Sequence, residues 1–341
     1  MYSFRNDYSE SAHPNILKAL VETNMSQLLG YGMDEHTQAA IKYMKEKMQA
    51  KNVDIHFVSG GTQANLLATA GFLRPFDAVI CTNSAHIHTH EAGSVEATGH
   101  KVLVEYAEDG KLTPAMVEHA IKVNSAEETP NPKMVYISNA TELGTIHTKK
   151  ELEELYECCK KYGMYFFIDG ARIGSALAWK NAGTTLADYP KLCDAFYIGG
   201  TKNGALLGEA IVIVNDELKA NFRRNMKQRG AILAKGKVTG IQFEELFKGN
   251  LYMELAEHAN AMADKLREGI KECAYPFLVE TPSNQMFPIF PNEVLEKLQE
   301  EFVIPEWEVE IDDANTCVRI VTSWATEEAQ VDRFVALLKS L

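Results

Sequence analysis

Two short apolar runs end on residues that could do chemistry together. Met164-Tyr-Phe-Phe-Ile stops at Asp169-Gly-Ala-Arg172, and Ala195-Phe-Tyr-Ile stops at Gly199-Gly-Thr-Lys202. An apolar run of this length, closed by small and polar residues, reads as a buried strand of a parallel sheet. Open α/β sheets bind ligands just beyond the carboxyl ends of their strands. The two runs are therefore expected to deliver an acid, an arginine and a lysine to one crevice. That is the set needed for pyridoxal 5'-phosphate (PLP) chemistry: a lysine for the Schiff base and an acid beside the pyridine nitrogen. Taken singly, Asp169 also reads as a helix cap and Lys202 as a surface lysine; only in register with other residues do they point to one site.

A phosphate needs donors. Asp54 to Val58 reads as a strand that meets Ser59-Gly60-Gly61-Thr62, and a helical pattern runs from Gln63 to Leu73. Glycines between a strand and a helix start leave backbone N–H groups free, and the helix dipole favours an anion there. Gly60, Gly61 and Thr62 are the candidate phosphate cup. After the next strand, Ala78 to Thr82, comes Ser84-Ala-His86-Ile-His88-Thr-His90-Glu91. Only His86 and His90 share a helical face, at i and i+4. No cysteine or matched ligand set accompanies them, so a metal is not expected. His86 could instead lie flat on an aromatic cofactor.

The elements that must position these residues alternate along the chain. Residues 1 to 14 read as an extended arm ending at His13-Pro14. Ile16 to Asn24 reads as a short helix, followed by the loop Gly30-Tyr31-Gly32. Asp34 caps a helix to about Ala50, with Ile41, Met44 and Met48 as its buried stripe. Further strands are expected at Lys101 to Tyr106, Met134 to Ser138 and Glu209 to Val214, the last antiparallel because only a short turn separates it from Ile198. Helices are expected after Thr113-Pro114 and from Glu151 to Tyr162. This alternation implies βαβ units and a mostly parallel sheet. A basic cluster, Arg223, Arg224, Lys227, Arg229, Lys235 and Lys237, reads as a solvated helix face or as a surface turned toward a phosphate. From Leu251 the pattern changes to a long helix (Tyr252 to Cys273) and short strands at Phe277 to Glu280, Met286 to Phe290, Glu306 to Ile311 and Cys317 to Thr322. Arg319 is expected in the last of these. The reading is a large domain over residues 15–250 and a small carboxyl-terminal α+β domain over 251–341, joined by the arm.

Composition narrows the partners. The net charge of −13 argues against nucleic acid, whose phosphates need a basic face. No apolar run is long enough to span a bilayer. The first seven residues lack the apolar core of a signal peptide. Six scattered cysteines, none in a CxxC pair, read as reduced thiols in a cytoplasmic protein.

With Asp169-Gly-Ala-Arg172 and Lys202 in place, the chain resembles the threonine aldolase and β-eliminating lyase group of PLP enzymes, which have the aspartate aminotransferase fold (fold type I). The resemblance spans nearly the whole chain. Arg5-Asn6-Asp7 stands where the family has Arg-Ser-Asp, and Tyr31-Gly32 lies in its Tyr-Gly loop. Gly61-Thr62 matches the phosphate-binding Gly-Thr, and His86 the ring-stacking histidine. Asp169 and Lys202 match the pyridine acid and the Schiff-base lysine. Arg172 and Arg319 match the arginines for the substrate carboxylate. The resemblance further implies cofactor contacts from Gly60, Thr201 and Arg229, substrate contacts from Asn6 and Tyr31, and active sites built in a homodimer or homotetramer. Three departures stand out. Asn6 replaces a serine, Gly199 replaces a serine three places before the lysine, and Asn139-Ala-Thr-Glu142 replaces the family's Glu-Asn-Thr-His.

The activity implied is retro-aldol cleavage of a β-hydroxy-α-amino acid, such as L-threonine or L-allo-threonine, to glycine and acetaldehyde. Lys202, His86 and Asp169 are the expected catalytic residues. His86 is the first candidate to accept the β-hydroxyl proton and His88 the second. The alternatives are other reactions in the same fold, a β-eliminating lyase, a racemase or an aminotransferase. A non-catalytic PLP-binding regulatory module is the more distant one.

Overall fold

The computed structural model describes residues 1–304 and 308–341. After a two-residue strand β1 (Tyr2–Ser3) come helices α1 (Pro14–Glu22) and α2 (Glu35–Met48). Asp34 caps α2 by accepting the Thr37 N–H at 2.9 Å. Strands and helices then alternate: β2 (Asp54–Val58), α3 (Gly61–Phe72), β3 (Asp77–Thr82), α4 (His86–Thr89), β4 (Lys101–Glu105), α5 (Pro114–Val123), β5 (Asn131–Ser138), α6 (Lys149–Lys161), β6 (Tyr165–Asp169), α7 (Ile173–Ala178), α8 (Tyr189–Leu192), β7 (Ala195–Gly199) and β8 (Glu209–Ile213).

The large sheet has the order β2-β8-β7-β6-β5-β3-β4. The pairs from β7 through β4 are parallel, and β8 runs antiparallel to both its neighbours. Each central strand feeds two cores in alternation. Val135, Ile137, Phe166, Ile168, Phe196 and Ile198 face one core. Met134, Tyr136, Phe167, Ala195 and Tyr197 face the other, against Ala64, Leu67 and Ala68 of α3. Side chains on a strand alternate between faces, so Tyr136, Asp169 and Tyr197 come to the α3 side at the carboxyl edge of the sheet.

Three helices follow: α9 (Phe222–Gln228), α10 (Lys237–Phe247) and the 22-residue α11 (Leu251–Glu272). Helix α11 serves two cores. Tyr252 and Leu255 pack on the sheet, whereas Met262, Ala263, Leu266 and Ile270 join a third core. That third core also takes Phe4 of the arm. The remaining elements are β9 (Gln285–Met286), β10 (Ile289–Pro291), α12 (Asn292–Glu301), β11 (Phe302–Val303), β12 (Glu308–Asp312), β13 (Asn315–Val318), β14 (Ile320–Val321) and α13 (Glu328–Ser340).

The expected small antiparallel sheet is divided in two, β10-β13-β12 and β14-β9, and β1 pairs in parallel with β11. Phe277 to Glu280 forms no strand and contributes one isolated bridge, Phe277 to Pro288. Of the expected strand Glu306 to Ile311, the described part is β12, Glu308–Asp312; residues 305–307 lie outside the described residues. Arg319 falls in the break between β13 and β14 rather than within a strand. A residue at such a break leaves the ladder, and its side chain is free to aim across the sheet edge. Among the described residues, no helix is long and apolar enough to cross a membrane.

Candidate active site

Asp169, at the end of β6, is 2% exposed and acts only as an acceptor. Its Oδ2 takes the Tyr136 hydroxyl at 2.6 Å and Asn65 Nδ2 at 3.0 Å. Its Oδ1 takes the Ala171 N–H at 3.0 Å and the Tyr197 hydroxyl. The donors come from β5, α3, β7 and the turn after β6, so four elements fix one carboxylate. Burial and the charge of Asp169 push both phenols well above their ordinary pKa, which keeps them donors.

The turns after β6 and β7 run against each other. A Cβ on Gly170 would stand 1.8 Å from the Tyr197 carbonyl oxygen, and one on Gly199 2.4 Å from that of Ala171. This close approach sets the turn that carries Lys202 against the turn that carries Asp169, and it leaves no room for a serine at 199. Burial and the Arg172 charge lower the Lys202 pKa against the pull of Asp7, Asp169 and Glu209. No carboxylate lies within ion-pair distance of Lys202 among the described residues. Behind it, buried Glu209 of β8 accepts the Gly200 N–H at 2.7 Å and a hydrogen bond from the Thr201 hydroxyl. Burial raises Glu209 to about 7, against those two bonds and the Lys202 charge. Thr201 Oγ1 also takes the Gly208 N–H at 3.1 Å. Thr201 thus holds the lysine turn together.

Arg172 grips Asp7 of the arm with both ends of one guanidinium edge, Nε to Oδ2 at 2.7 Å and Nη2 to Oδ1 at 3.0 Å. Burial opposes ionisation of Asp7, but the Arg172 and Lys202 charges hold its pKa below the usual range. Asn6 accepts the Tyr8 N–H and the Ser9 hydroxyl through Oδ1, each at 2.9 Å, which leaves its amide hydrogens for another partner. Arg319 has a buried Nε with no partner. Burial and the nearby Arg172 charge lower its pKa. The Tyr8 ring centroid lies 6.0 Å from Lys202 Nζ. Arg172, Arg319 and Lys202 thus all act on Asp7, and of the three Arg172 is the one that pairs with it.

His86 Nδ1 is 2.8 Å from Glu91 Oε1. Glu91 also takes Asn65 Nδ2 at 2.7 Å, so Asn65 ties the histidine's anchor to Asp169. Burial alone would lower the His86 pKa, but the Glu91 bond and the charges of Asp169 and Glu142 raise it. His90 is stacked beside His86, with ring centroids 5.6 Å apart and planes at 17°. Burial and the charges of His86, Arg319 and Lys202 lower the His90 pKa. His88 is exposed.

At the candidate phosphate cup, the α3 N-cap is Gly60, and no side chain caps the helix. Its first N–H groups remain available to an anion. A Cβ on Gly61 would come 2.8 Å from the Tyr197 hydroxyl oxygen, so glycine there is what lets Tyr197 reach Asp169. Tyr31 and Arg229 stand elsewhere on the chain. Tyr31 is exposed, under Lys227 Nζ at 4.7 Å from its ring centroid. Arg229 is exposed at the end of α9, with Nε on Asn225 at 3.1 Å.

Sequence reasoning did not single out Asn65, Glu91, Tyr136, Tyr197 or Glu209, and it marked Glu142 as part of a departure from the family pattern without giving it a role. A signal existed for two of them: Tyr136 and Tyr197 each put a hydroxyl into an otherwise apolar strand, on the face that ends at the cluster. The residues present fit PLP. A buried acceptor, an unpaired lysine beside it, an uncapped helix start and a partnerless arginine nitrogen are what a flat heterocycle with a phosphate tail and a carboxylate-bearing substrate would use.

Comparison with known proteins agrees. A family model for beta-eliminating lyases matches residues 4–290. The low-specificity L-threonine aldolase of Pseudomonas aeruginosa is 30% identical over 300 residues, covering 87% of this chain and 84% of that protein. The solved structure of Leishmania major threonine aldolase matches with a TM-score of 0.98 at 48% identity, covering 100% of this chain and 99% of that one. Histidinol-phosphate aminotransferase from Clostridium acetobutylicum shares the fold alone, with a TM-score of 0.73 at 13% identity over 100% and 98% of the two chains. The chain belongs to the beta-eliminating lyase family of PLP-dependent enzymes and has their aminotransferase-like fold.

Proposed function

We propose that the protein is a PLP-dependent carbon–carbon lyase that cleaves β-hydroxy-α-amino acids, with L-threonine or L-allo-threonine giving glycine and acetaldehyde. The observation that carries this reading is the whole-chain match to a solved threonine aldolase. Lys202 would hold the cofactor covalently and Asp169 would face its pyridine nitrogen. Gly60, Gly61 and the Thr62 N–H would take its phosphate, and His86 would lie on its ring. When bound, PLP supplies a conjugated ring that stabilises the electron pair released at the substrate's Cα.

The other roles follow from charge and reach. Arg319 and the free edge of Arg172, with the Asn6 amide, hold the substrate carboxylate. Fixing the carboxylate decides which Cα bond stands perpendicular to the ring, and so which bond breaks. Asp7 keeps Arg172 aimed by occupying its other edge. Thr201 supports Lys202 through the Glu209 turn.

The exposed apolar residues Leu17, Val21, Met25, Leu29, Met33 and Leu233 favour a homodimer or homotetramer. In that assembly Tyr31 and Arg229 would serve a neighbouring subunit's site. We also take residues 15–250 and 251–341 with the arm as the two domains. The six free thiols favour a cytoplasmic setting.

The test is direct. Purified protein should bind PLP with a visible absorption band, and borohydride should fix it to the chain. Lys202→Ala should abolish that fixation. PLP still fixed to another lysine in the variant would refute the assignment. A panel of threonine, allo-threonine, phenylserine and serine, read by aldehyde release, separates the aldolase from its alternatives. Ammonia with pyruvate would indicate β-elimination, and a required keto-acid acceptor would indicate transamination.

A further inference from the structure

Cleaving a β-hydroxy-α-amino acid between Cα and Cβ requires that the β-hydroxyl lose its proton as the carbonyl forms. We propose that Glu142 accepts that proton and thereby selects substrates that carry a hydroxyl on Cβ. The proposal rests on the aldolase reading above.

Glu142 is presented by a fixed loop. The Asn139 side chain accepts the His147 N–H at 3.0 Å and donates to the Tyr189 hydroxyl at 3.1 Å. The Thr141 and Thr145 hydroxyls lie 2.7 Å apart. Gln285 Nε2 reaches the Thr141 carbonyl from the third-core side at 3.1 Å. Glu142 Oε1 takes the Ser138 hydroxyl at 2.7 Å. Ser138 pairs with Asp169 across β5 and β6. Tyr136, two residues earlier on the same face, has its hydroxyl 3.4 Å from that of Ser138 and donates to Asp169. A run of neighbouring polar groups thus leads from Asp169 through Tyr136 and Ser138 to Glu142, with each hydroxyl proton given to its own carboxylate. A second run leads from Asp169 through Asn65 and Glu91 to His86. Glu142 and His86 are the titratable ends of two arms rooted on the cofactor acid.

Of these two ends, Glu142 is the better acceptor. His86 Nδ1 is committed to Glu91, and Glu91, Asp169 and Glu142 together favour the protonated form of the ring, in which neither nitrogen can accept. Among the described residues, Glu142 receives one side-chain hydrogen bond, on Oε1, so Oε2 has capacity left. The groups facing it are Asp169 of β6, His86 of α4, Arg172 after β6, Tyr136 of β5 and Cys81 of β3. Burial and the Asp169 charge raise its pKa against the Ser138 bond and His86, which makes it a stronger base than an ordinary carboxylate.

The step balances without a co-reactant. The O–H bond breaks and its proton goes to Glu142. The oxygen's pair becomes the second bond of the leaving aldehyde. The Cα–Cβ pair stays on the glycine carbon until a proton closes its Cα–H bond, and Glu142 gives up its proton as the cycle ends.

The decisive variant is Glu142→Gln, which keeps size and the Ser138 contact. For L-threonine, kcat should fall by about 10²- to 10⁴-fold, the usual contribution of a general base. PLP fixation by borohydride, glycine affinity read from the cofactor spectrum, and glycine α-proton exchange in deuterium oxide should be unchanged. The acid limb of the parent's kcat–pH profile should vanish in Glu142→Gln and persist, at an intermediate rate, in Glu142→Asp. Undiminished threonine cleavage by Glu142→Gln would overturn the role. So would parallel loss of cleavage and glycine exchange, which would mark a structural effect. A parent that exchanges glycine's proton yet releases no aldehyde from any panel substrate would overturn the aldolase reading and this role together.

Discussion

Replacing Asp7 with alanine should loosen the amino-terminal arm and expose how much of the site depends on it. Asp7 is 1% exposed and receives two hydrogen bonds from Arg172 and one from Asn284 Nδ2 at 2.9 Å. The same Asn284 nitrogen holds the Thr322 carbonyl at 2.8 Å. One carboxylate therefore ties the arm to the sheet edge and to the third-core segment. Removing one member of a buried ion pair leaves the other charged and unpaired, at a cost of about 3–5 kcal/mol. Unfolding entropy is about 2.1 cal/mol/K per residue, so 341 residues give about 0.7 kcal/mol/K and a Tm lowered by about 4–7 °C. Differential scanning calorimetry at neutral pH reads this shift. The pH dependence supplies a second check. The folded-state pKa of Asp7 lies below its ordinary value of 3.8. A depressed carboxylate contributes stability that is present above the unfolded pKa and is lost as pH falls through the folded one. The Tm gap between parent and Asp7→Ala should therefore be constant at neutral pH and narrow on acidification below 3.8. An unchanged Tm at neutral pH, or a gap that widens in acid, would refute the pairing as the arm's anchor.

Two other outcomes follow from the same geometry. Gly61→Ala places a methyl 2.8 Å from the Tyr197 hydroxyl oxygen, so Tyr197 must withdraw from Asp169. The loss of a hydrogen bond to a charged group, about 1.5–3 kcal/mol, should weaken PLP affinity by about 10- to 100-fold in a fluorescence titration. Arg319→Gln removes an unpaired cation from the substrate side. The threonine KM should rise by about 10- to 100-fold on the same scale, with borohydride-fixable PLP retained.

What the sequence determined by itself was local. The capped starts at Asp34 and Thr113, the apolar runs ending at Asp169 and Gly199, and the i, i+4 pairing of His86 with His90 are each written within a turn or two of chain. Helix and strand periods are properties of neighbouring residues. The alternation of strands and helices therefore implied the parallel sheet, and the sheet implied that Asp169 and Lys202 meet at its carboxyl edge. The small antiparallel strands were read less well, since segments of two to five residues carry little periodicity.

Tertiary structure alone decided how the site is wired. Arg172 pairs with a residue 165 positions earlier, and Asn65 reaches Asp169 across 104 positions. No spacing rule encodes either contact. Tyr136 and Tyr197 became partners of Asp169 because adjacent strands place equivalent residues on one face. Glu142 and His86 became the ends of two arms of polar side chains because α3 and the loop after β5 pack on either side of that carboxylate. A buried acid draws donors from whichever elements folding brings within about 3 Å, and only packing determines which those are.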